Sequence, residues 1–309
     1  MGKKGKSKGK SKKSDRTGSS ITVQRLKHKG SKHTPLEKIA EEADLVAVDA
    51  DGTLVDWIPK ATRLYNKILS EDGKRGVSEK YVRNVLAKVG PRRAFELLGY
   101  SGSDLERALT RYEQHFDIDA GNYDIIPGAV ELIHYAKQNG RKVALVTNSD
   151  ERYASTAVKT IVESYNAKFG TSKDASDILD YVRTNSKKPS GKALSEVLRK
   201  TGSKKAVMIG DEHKDLGEAE ESGSYSIGVL GTYNSSHEFG DEPDRLAPDM
   251  SVLARQFKAT FEKNSVKSGV KPGHMQTQLF DSYAEHTKDG SAEEMPFYAT
   301  QLSAYRRAA

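Results

Sequence analysis

The sequence predicts an α/β fold: a doubly wound parallel sheet, interrupted by an inserted helical subdomain. Three observations carry that expectation. Short apolar runs recur along the chain, and each stops at a polar or acidic pair. Segments of helical period separate them, each followed by a Gly that ends the helix. The interval from Trp57 to about Asp124 breaks this rhythm, because it holds helix signals alone.

The elements follow in order. Residues 1–34 read as a basic arm: through His33, twelve Lys or Arg stand against the single acid Asp15, while the whole chain carries only +7, so everything after the arm is net acidic. Lys3 to Lys13 alternates Gly, Ser and Lys without a large apolar side chain, which cannot offset the entropy of ordering, so the arm is expected to be disordered. Order is expected from Pro35, with a short helix over Leu36–Ala43 leading into the strand Leu45-Val46-Ala47-Val48, which ends at Asp49. In the interrupting interval, Ala61–Leu69, Ser78–Val89, Arg92–Leu98 and Asp104–Phe116 read as helices. Beyond it come a helix over Gly128–Asn139, a strand over Lys142–Val146 before Thr147-Asn148, and a helix over Arg152–Ala167. Asp177–Val182 reads as a strand, with a helical turn as the alternative. A helix over Gly191–Thr201, a strand over Ala206–Ile209 before Gly210-Asp211 and a strand over Ser224–Leu230 before Gly231-Thr232 complete the alternation. From Tyr233 through Pro243 and Pro248 the chain reads as loop, and Ser251–Lys263 as a closing helix. The domains expected are therefore a core of residues 35–57 and 124–263, a helical insertion of 58–123, and a C-terminal extension of 264–309 that is flexible or partly ordered. In such a sheet the ligand sits at the carboxyl ends of the strands.

Composition narrows the class. The chain has 36% hydrophobic residues, 30% charged residues and no Cys, which excludes a disulfide-stapled scaffold. No run approaches the ~18 apolar residues of a membrane span, and no apolar segment follows the N-terminal charges as in a secretory signal. A cytoplasmic protein without membrane insertion is expected. The Lys-rich arm suits weak contact with nucleic acid or another polyanion through counterion release, with a merely solubilising tail as the competing reading. Gly9-Lys10-Ser11 ends like a phosphate loop but lacks both the upstream Gly and the preceding strand.

The chemistry converges on three acids at strand ends: Asp49 and Asp51 in Asp49-Ala50-Asp51-Gly52-Thr53-Leu54-Val55, and Asp211 in Gly210-Asp211-Glu212-His213-Lys214-Asp215. Clustered carboxylates repel, and a hard cation such as Mg²⁺ neutralises them through oxygen ligands. Gly52 permits a sharp turn beside the acids, and Thr53 is expected to fix the loop by a local hydrogen bond.

With these residues in order, the chain resembles the haloacid dehalogenase superfamily over roughly Ala43 to Lys263. The apolar strand with Asp49 to Val55 resembles its first motif. Leu145-Val146-Thr147-Asn148-Ser149 is similar to the second, Lys188-Pro189 to the third (Lys187 being the alternative), and Gly210-Asp211 with Asp215 to the fourth. Ile126-Pro127-Gly128 resembles the family's return from a helical cap, and the insertion resembles a C1-type cap of the phosphoglycolate-phosphatase-like branch. The resemblance implies a Rossmann-like core and a Mg²⁺-dependent phosphatase acting on a small phosphorylated metabolite. Asp49 is then the nucleophile that forms an aspartyl-phosphate, and Asp51 is the general acid and base. Thr147, Asn148 and Lys188 surround the phosphoryl oxygens. The Asp49 side chain, the Asp51 main-chain carbonyl and Asp211 hold the metal, and Asp215 is a water-mediated ligand or an orienter of Lys188. Asp51 speaks against a dehalogenase, which lacks the second acid. A phosphomutase of the β-phosphoglucomutase type and a polyanion-tethered binding protein on the same scaffold are the alternatives. Substrate and oligomeric state are not readable from the sequence.

Overall fold

A four-residue run that is apolar on both faces has to be covered from both sides, and Leu45–Val48 is fully buried. In the computed structural model, which describes residues 34–118, 123–230 and 243–268, it is the central strand of a six-stranded parallel sheet. Along the chain the elements are α1 (Leu36–Glu42), β1 (Leu45–Val48), β2 (Val55–Asp56), α2 (Ile58–Glu71), α3 (Glu79–Asn84), a 3-10 turn (Leu86–Lys88), α4 (Pro91–Leu97), α5 (Gly102–Ile118), β3 (Asp124–Ile125), α6 (Ala129–Gln138), β4 (Lys142–Val146), α7 (Glu151–Phe169), α8 (Ala175–Ile178), β5 (Tyr181–Arg183), α9 (Lys192–Thr201), β6 (Ala206–Gly210), α10 (His213–Glu221), β7 (Tyr225–Val229), β8 (Arg245–Ala247) and α11 (Met250–Ser268). The basic arm through residue 33, Gly231-Thr232 and the extension from residue 269 lie outside the described residues.

The strand order is β5-β4-β1-β6-β7-β8. Leu45 is in register with Lys142 on one side and with Ala206 on the other. The chain therefore winds away from β1 in both directions, and the crevice beyond the carboxyl end of β1 is the topological switch point. Asp49, the next residue, stands in it. Among the described residues no helix is long and apolar enough to cross a membrane.

Three elements depart from the sequence expectation. The stretch around Pro243 and Pro248 contains a strand, β8, where a loop was expected. It lies at the sheet edge, paired with β7 through Ile227 and Arg245, and both prolines fall outside it, as strand geometry requires. Asp244 fastens it: its carboxylate accepts the Ser226 N–H at 2.9 Å, while its own N–H donates to the Ser226 hydroxyl at 3.0 Å. Asp177–Val182 divides into the end of α8, capped by Asp174, and β5. The division falls at Asp180, whose carboxylate takes the Val143 N–H at 2.7 Å and the Lys137 ammonium at 2.8 Å. Finally, β2 and β3 form an antiparallel ribbon, Val55 opposite Ile125, at the entry and exit of the helical insertion. Two-residue strands are too short to leave a periodic signal.

Inside the insertion, α2 through α5 pack around Tyr65, Phe95, Tyr100 and Tyr112, whose rings meet at 5.3 to 5.8 Å, mostly edge to face. Trp57 is partly buried against the main apolar core.

A buried acid joins the helices behind the sheet. The Glu218 carboxylate on α10 accepts the Gly191 N–H at 2.7 Å and the Leu194 N–H at 2.9 Å, filling the open amino end of α9. Glu218→Ala strands both donors in the interior, so an expected loss of roughly 2–4 kcal/mol is to be read from the denaturant midpoint. A midpoint equal to the parent's would contradict this account.

Candidate active site

The site is assembled from four loops at the carboxyl ends of neighbouring strands. The first follows β1. The Asp49 N–H extends the ladder to the Ile209 carbonyl at 2.9 Å, and the chain then folds tightly, with the Ala50 carbonyl accepting Leu54 and Val55 N–H at 2.9 and 3.0 Å. Gly52, at φ 84°, allows that reversal. Thr53 departs from the expected local bond: its hydroxyl reaches across to the Asp211 carboxylate at 3.1 Å, joining the first loop to the one after β6.

Lys188 is the centre of the cluster. Its buried ammonium donates to Asp49 Oδ1 at 2.5 Å, to Asp215 Oδ1 at 2.5 Å and to the Val146 carbonyl at 3.0 Å. Three donors meet three acceptors. Burial works against its charge, but Asp215 and Asp49 prevail and hold its pKa above the ordinary lysine value. Lys187 is exposed, so of the two lysines Lys188 is the one that meets the acids. Asp215 uses both oxygens within the protein, Oδ1 on Lys188 and Oδ2 on the Glu212 N–H at 3.1 Å, which is the arrangement of an orienter. This requires Gly210, because a Cβ there would lie 2.2 Å from Asp215 Oδ2.

The loops after β4 and β5 are sewn together. Thr147 N–H donates to the Arg183 carbonyl, Ser186 N–H to the Thr147 carbonyl and Asn185 N–H to the Ser149 carbonyl, all at 2.9 to 3.0 Å. Asn148 Oδ1 accepts the Lys188 N–H at 2.8 Å. Thr147 is buried and its hydroxyl accepts the Ser149 N–H at 3.1 Å, whereas Asn148 is exposed at the mouth. Ser149, to which the sequence reading gave no role, donates its hydroxyl to Asp51 Oδ2 at 2.6 Å.

The electrostatics follow from four acids around one buried ammonium. Burial, reinforced by Asp49, pushes Asp51 up to about 6, against the lowering effect of the Ser149 hydrogen bond and of Lys188 and Lys214. Asp211 is raised well above an ordinary carboxyl by burial, then by Asp49, Asp215 and Glu212. Asp215 is raised as well, chiefly by burial. Carboxylate oxygens of Asp49, Asp211 and Asp215 lie within 4.8 Å of one another. An all-oxygen donor set with surplus negative charge fits a hard divalent cation. Lys214, also unassigned by the sequence reading, is half-buried beside the cluster and paired with Glu212 at 2.5 Å. A lysine in a helix's first turn carries no signal that separates it from a solvated one.

Arg92 pairs with Glu106 at 2.7 Å and Arg93 with Glu96 at 2.8 Å, all four on the exposed surface of the insertion. His213 is exposed.

A family model described as a haloacid dehalogenase-like hydrolase matches residues 43–223. Phosphoglycolate phosphatase 1 of Pseudomonas aeruginosa is 27% identical over 214 residues, covering 66% of this chain and 76% of that protein. The phosphoglycolate phosphatase of Vibrio parahaemolyticus is 28% identical over 225 residues, covering 69% of this chain and 95% of its own. Among solved structures, a haloacid dehalogenase-superfamily hydrolase of subfamily IA from Geobacter sulfurreducens superimposes with a TM-score of 0.52 at 17% identity, covering 70% of this chain and 97% of that one, which is a likeness of fold.

Removing the central cation leaves Asp215 buried beside Asp49 without the ammonium that both acids contact, and Lys214 near them is partly exposed and paired with Glu212. Lys188→Met is expected to cost about 3–5 kcal/mol at pH 7.5. Asp215, already raised, rises further in the variant, so its proton is retained at pH 5 and lost towards 7.5. The deficit in denaturant melts is therefore expected to be smaller at pH 5, and an equal deficit at both values would refute the pairing as the cause.

Proposed function

The chain belongs to the haloacid dehalogenase-like hydrolase family and is a phosphatase, and on that premise we propose that it hydrolyses a small phosphorylated carboxylic acid, 2-phosphoglycolate first among them, through an aspartyl-phosphate on Asp49. The observation that carries this reading is the pairing of Asp49 with the buried Lys188 ammonium at 2.5 Å, with Asp51 two residues away and still inclined to keep a proton. One carboxylate is thereby held in place by a cation, and the other can donate.

The Asp49 carboxylate attacks phosphorus, the ester P–O bond breaks, and Asp51 gives its proton to the departing oxygen. Asp51 then takes a proton from the water that hydrolyses the acyl phosphate. Once Asp49 is esterified, its share of the Lys188 ammonium turns to a phosphoryl oxygen, joined by the Thr147 hydroxyl and the Asn148 amide. The Asp49 side chain, the Asp51 main-chain carbonyl and Asp211 would hold Mg²⁺, which supplies neutralisation of the phosphoryl charge. The helical insertion, joined to the core by the β2 and β3 ribbon, is read as the cap that selects the substrate. The substrate reading draws on the phosphoglycolate phosphatases among the relatives.

Asp49→Asn is nearly isosteric but a poor nucleophile, so release of inorganic phosphate from 2-phosphoglycolate is expected to fall at least about 100-fold with the fold intact by circular dichroism. Turnover within tenfold of the parent would exclude covalent catalysis at Asp49. Isomer formation from a sugar phosphate without phosphate release would assign a mutase instead.

The acid cluster also sets a pH dependence. Asp211 has a native pKa well above its unfolded one, so its proton stabilises the native state at low pH and that contribution is lost as pH rises through the native value. A cation held by the Asp211 carboxylate replaces that proton. The rise in Tm on adding Mg²⁺ is therefore expected to be larger at pH 7.5 than at pH 5. An increase that is flat with pH would remove Asp211 from the metal site.

A further inference from the structure

We infer that Ser149 is a positioning residue for the proton transfer, holding Asp51 so that the proton given to the leaving group rides on Oδ1. The inference rests on the reading of Asp51 as the general acid. Among the described residues, the Ser149 hydroxyl is the one hydrogen-bond donor to the Asp51 carboxylate, at 2.6 Å on Oδ2. The other three acids are held differently: Asp49 by Lys188, Asp211 by Thr53, and Asp215 by Lys188 and the Glu212 N–H. An oxygen that accepts a short hydrogen bond is held as an acceptor, which assigns the carboxyl proton to its partner oxygen.

The donor is itself fixed from both sides. Ser149 N–H donates to the Thr147 hydroxyl at 3.1 Å, and its carbonyl accepts the Asn185 N–H at 2.9 Å, so the loop after β4 cannot turn Ser149 away without breaking the seam to the loop after β5. Asp51 is anchored too, through its main-chain bridge to Val55. With both backbones fixed, this bond sets the carboxyl plane. In the step it serves, an Asp49 oxygen bonds to phosphorus and the ester P–O bond breaks. The electron pair of that bond stays on the leaving oxygen, which takes the proton from Asp51 Oδ1. Misorientation of a general acid costs most when the leaving oxygen is basic and little when it departs readily as an anion.

The test compares kcat/KM on phenyl phosphate, a poor leaving group, with that on dinitrophenyl phosphate, a good one, for the parent, Ser149→Ala and Asp51→Asn. Ser149→Ala is expected to lose about 10-fold on phenyl phosphate, the worth of one intramolecular hydrogen bond, and less than about 3-fold on dinitrophenyl phosphate. Asp51→Asn is expected to lose at least about 100-fold on the first and far less on the second. Equal losses on both substrates for Ser149→Ala, or none, alongside a selective Asp51→Asn would overturn the positioning role alone. A non-selective Asp51→Asn would overturn the general-acid reading on which it depends.

Discussion

Lys188 and the carboxylates around it impose the constraint that the rest of the site obeys. An ammonium stripped of water is tolerated in a protein interior when every N–H finds an acceptor and opposite charge lies close. Here Asp49, Asp215 and the Val146 carbonyl supply all three acceptors. The converse holds for the acids, since Asp49 and Asp215 owe their burial to that cation. Asp51 and Asp211 are further buried acids at the same place; burial first, and the neighbouring acids second, raise their pKa values, and the oxygens of Asp49, Asp211 and Asp215 suit a divalent ion.

Precision in the site comes from hydrogen bonds between loops that the chain separates widely. Asp49 and Lys188 are 139 residues apart, and Thr53 and Asp211 158 apart. Each loop begins where a buried parallel strand ends, so the sheet registers hold the loop origins in fixed relation. Main-chain bonds then close the remaining freedom, most tightly between the loops after β4 and β5. Catalytic geometry is thus inherited from a rigid scaffold, and the loops themselves need little regular structure.

The insertion obeys different physics. Its helices have no sheet to lean on, so they bury aromatic rings against one another, with Tyr65, Phe95 and Tyr112 at the centre. It joins the sheet-bearing part through the short β2 and β3 ribbon. The charged pairs on its outer face, such as Arg92 with Glu106, are exposed and contribute little to stability.

The α/β alternation and the acids Asp49, Asp51 and Asp211 were legible in the residues themselves, because buried strands leave uninterrupted apolar runs and polar residues at their ends stand out against them; Thr147 and Lys188, the latter with Lys187 as its alternative, were marked out by the family resemblance. Local pattern also marked every long helix, since amphipathic period and terminal glycines act within a few residues. Five things were decided elsewhere. The strand β8 exists because an edge of the sheet offers it partners and Asp244 fastens it, and β5 starts where Asp180 meets Val143. Lys188, and not Lys187, meets the acids because of how the loop after β5 is turned against the loop after β4. Asp215 became an orienter, and Ser149 a partner of Asp51, only when strands from distant parts of the chain brought them within hydrogen-bond reach. A sequence declares which side chains have the chemistry to bond; which of them meet is set by hydrogen bonds and burial across the sheet, whose distances a linear chain does not carry.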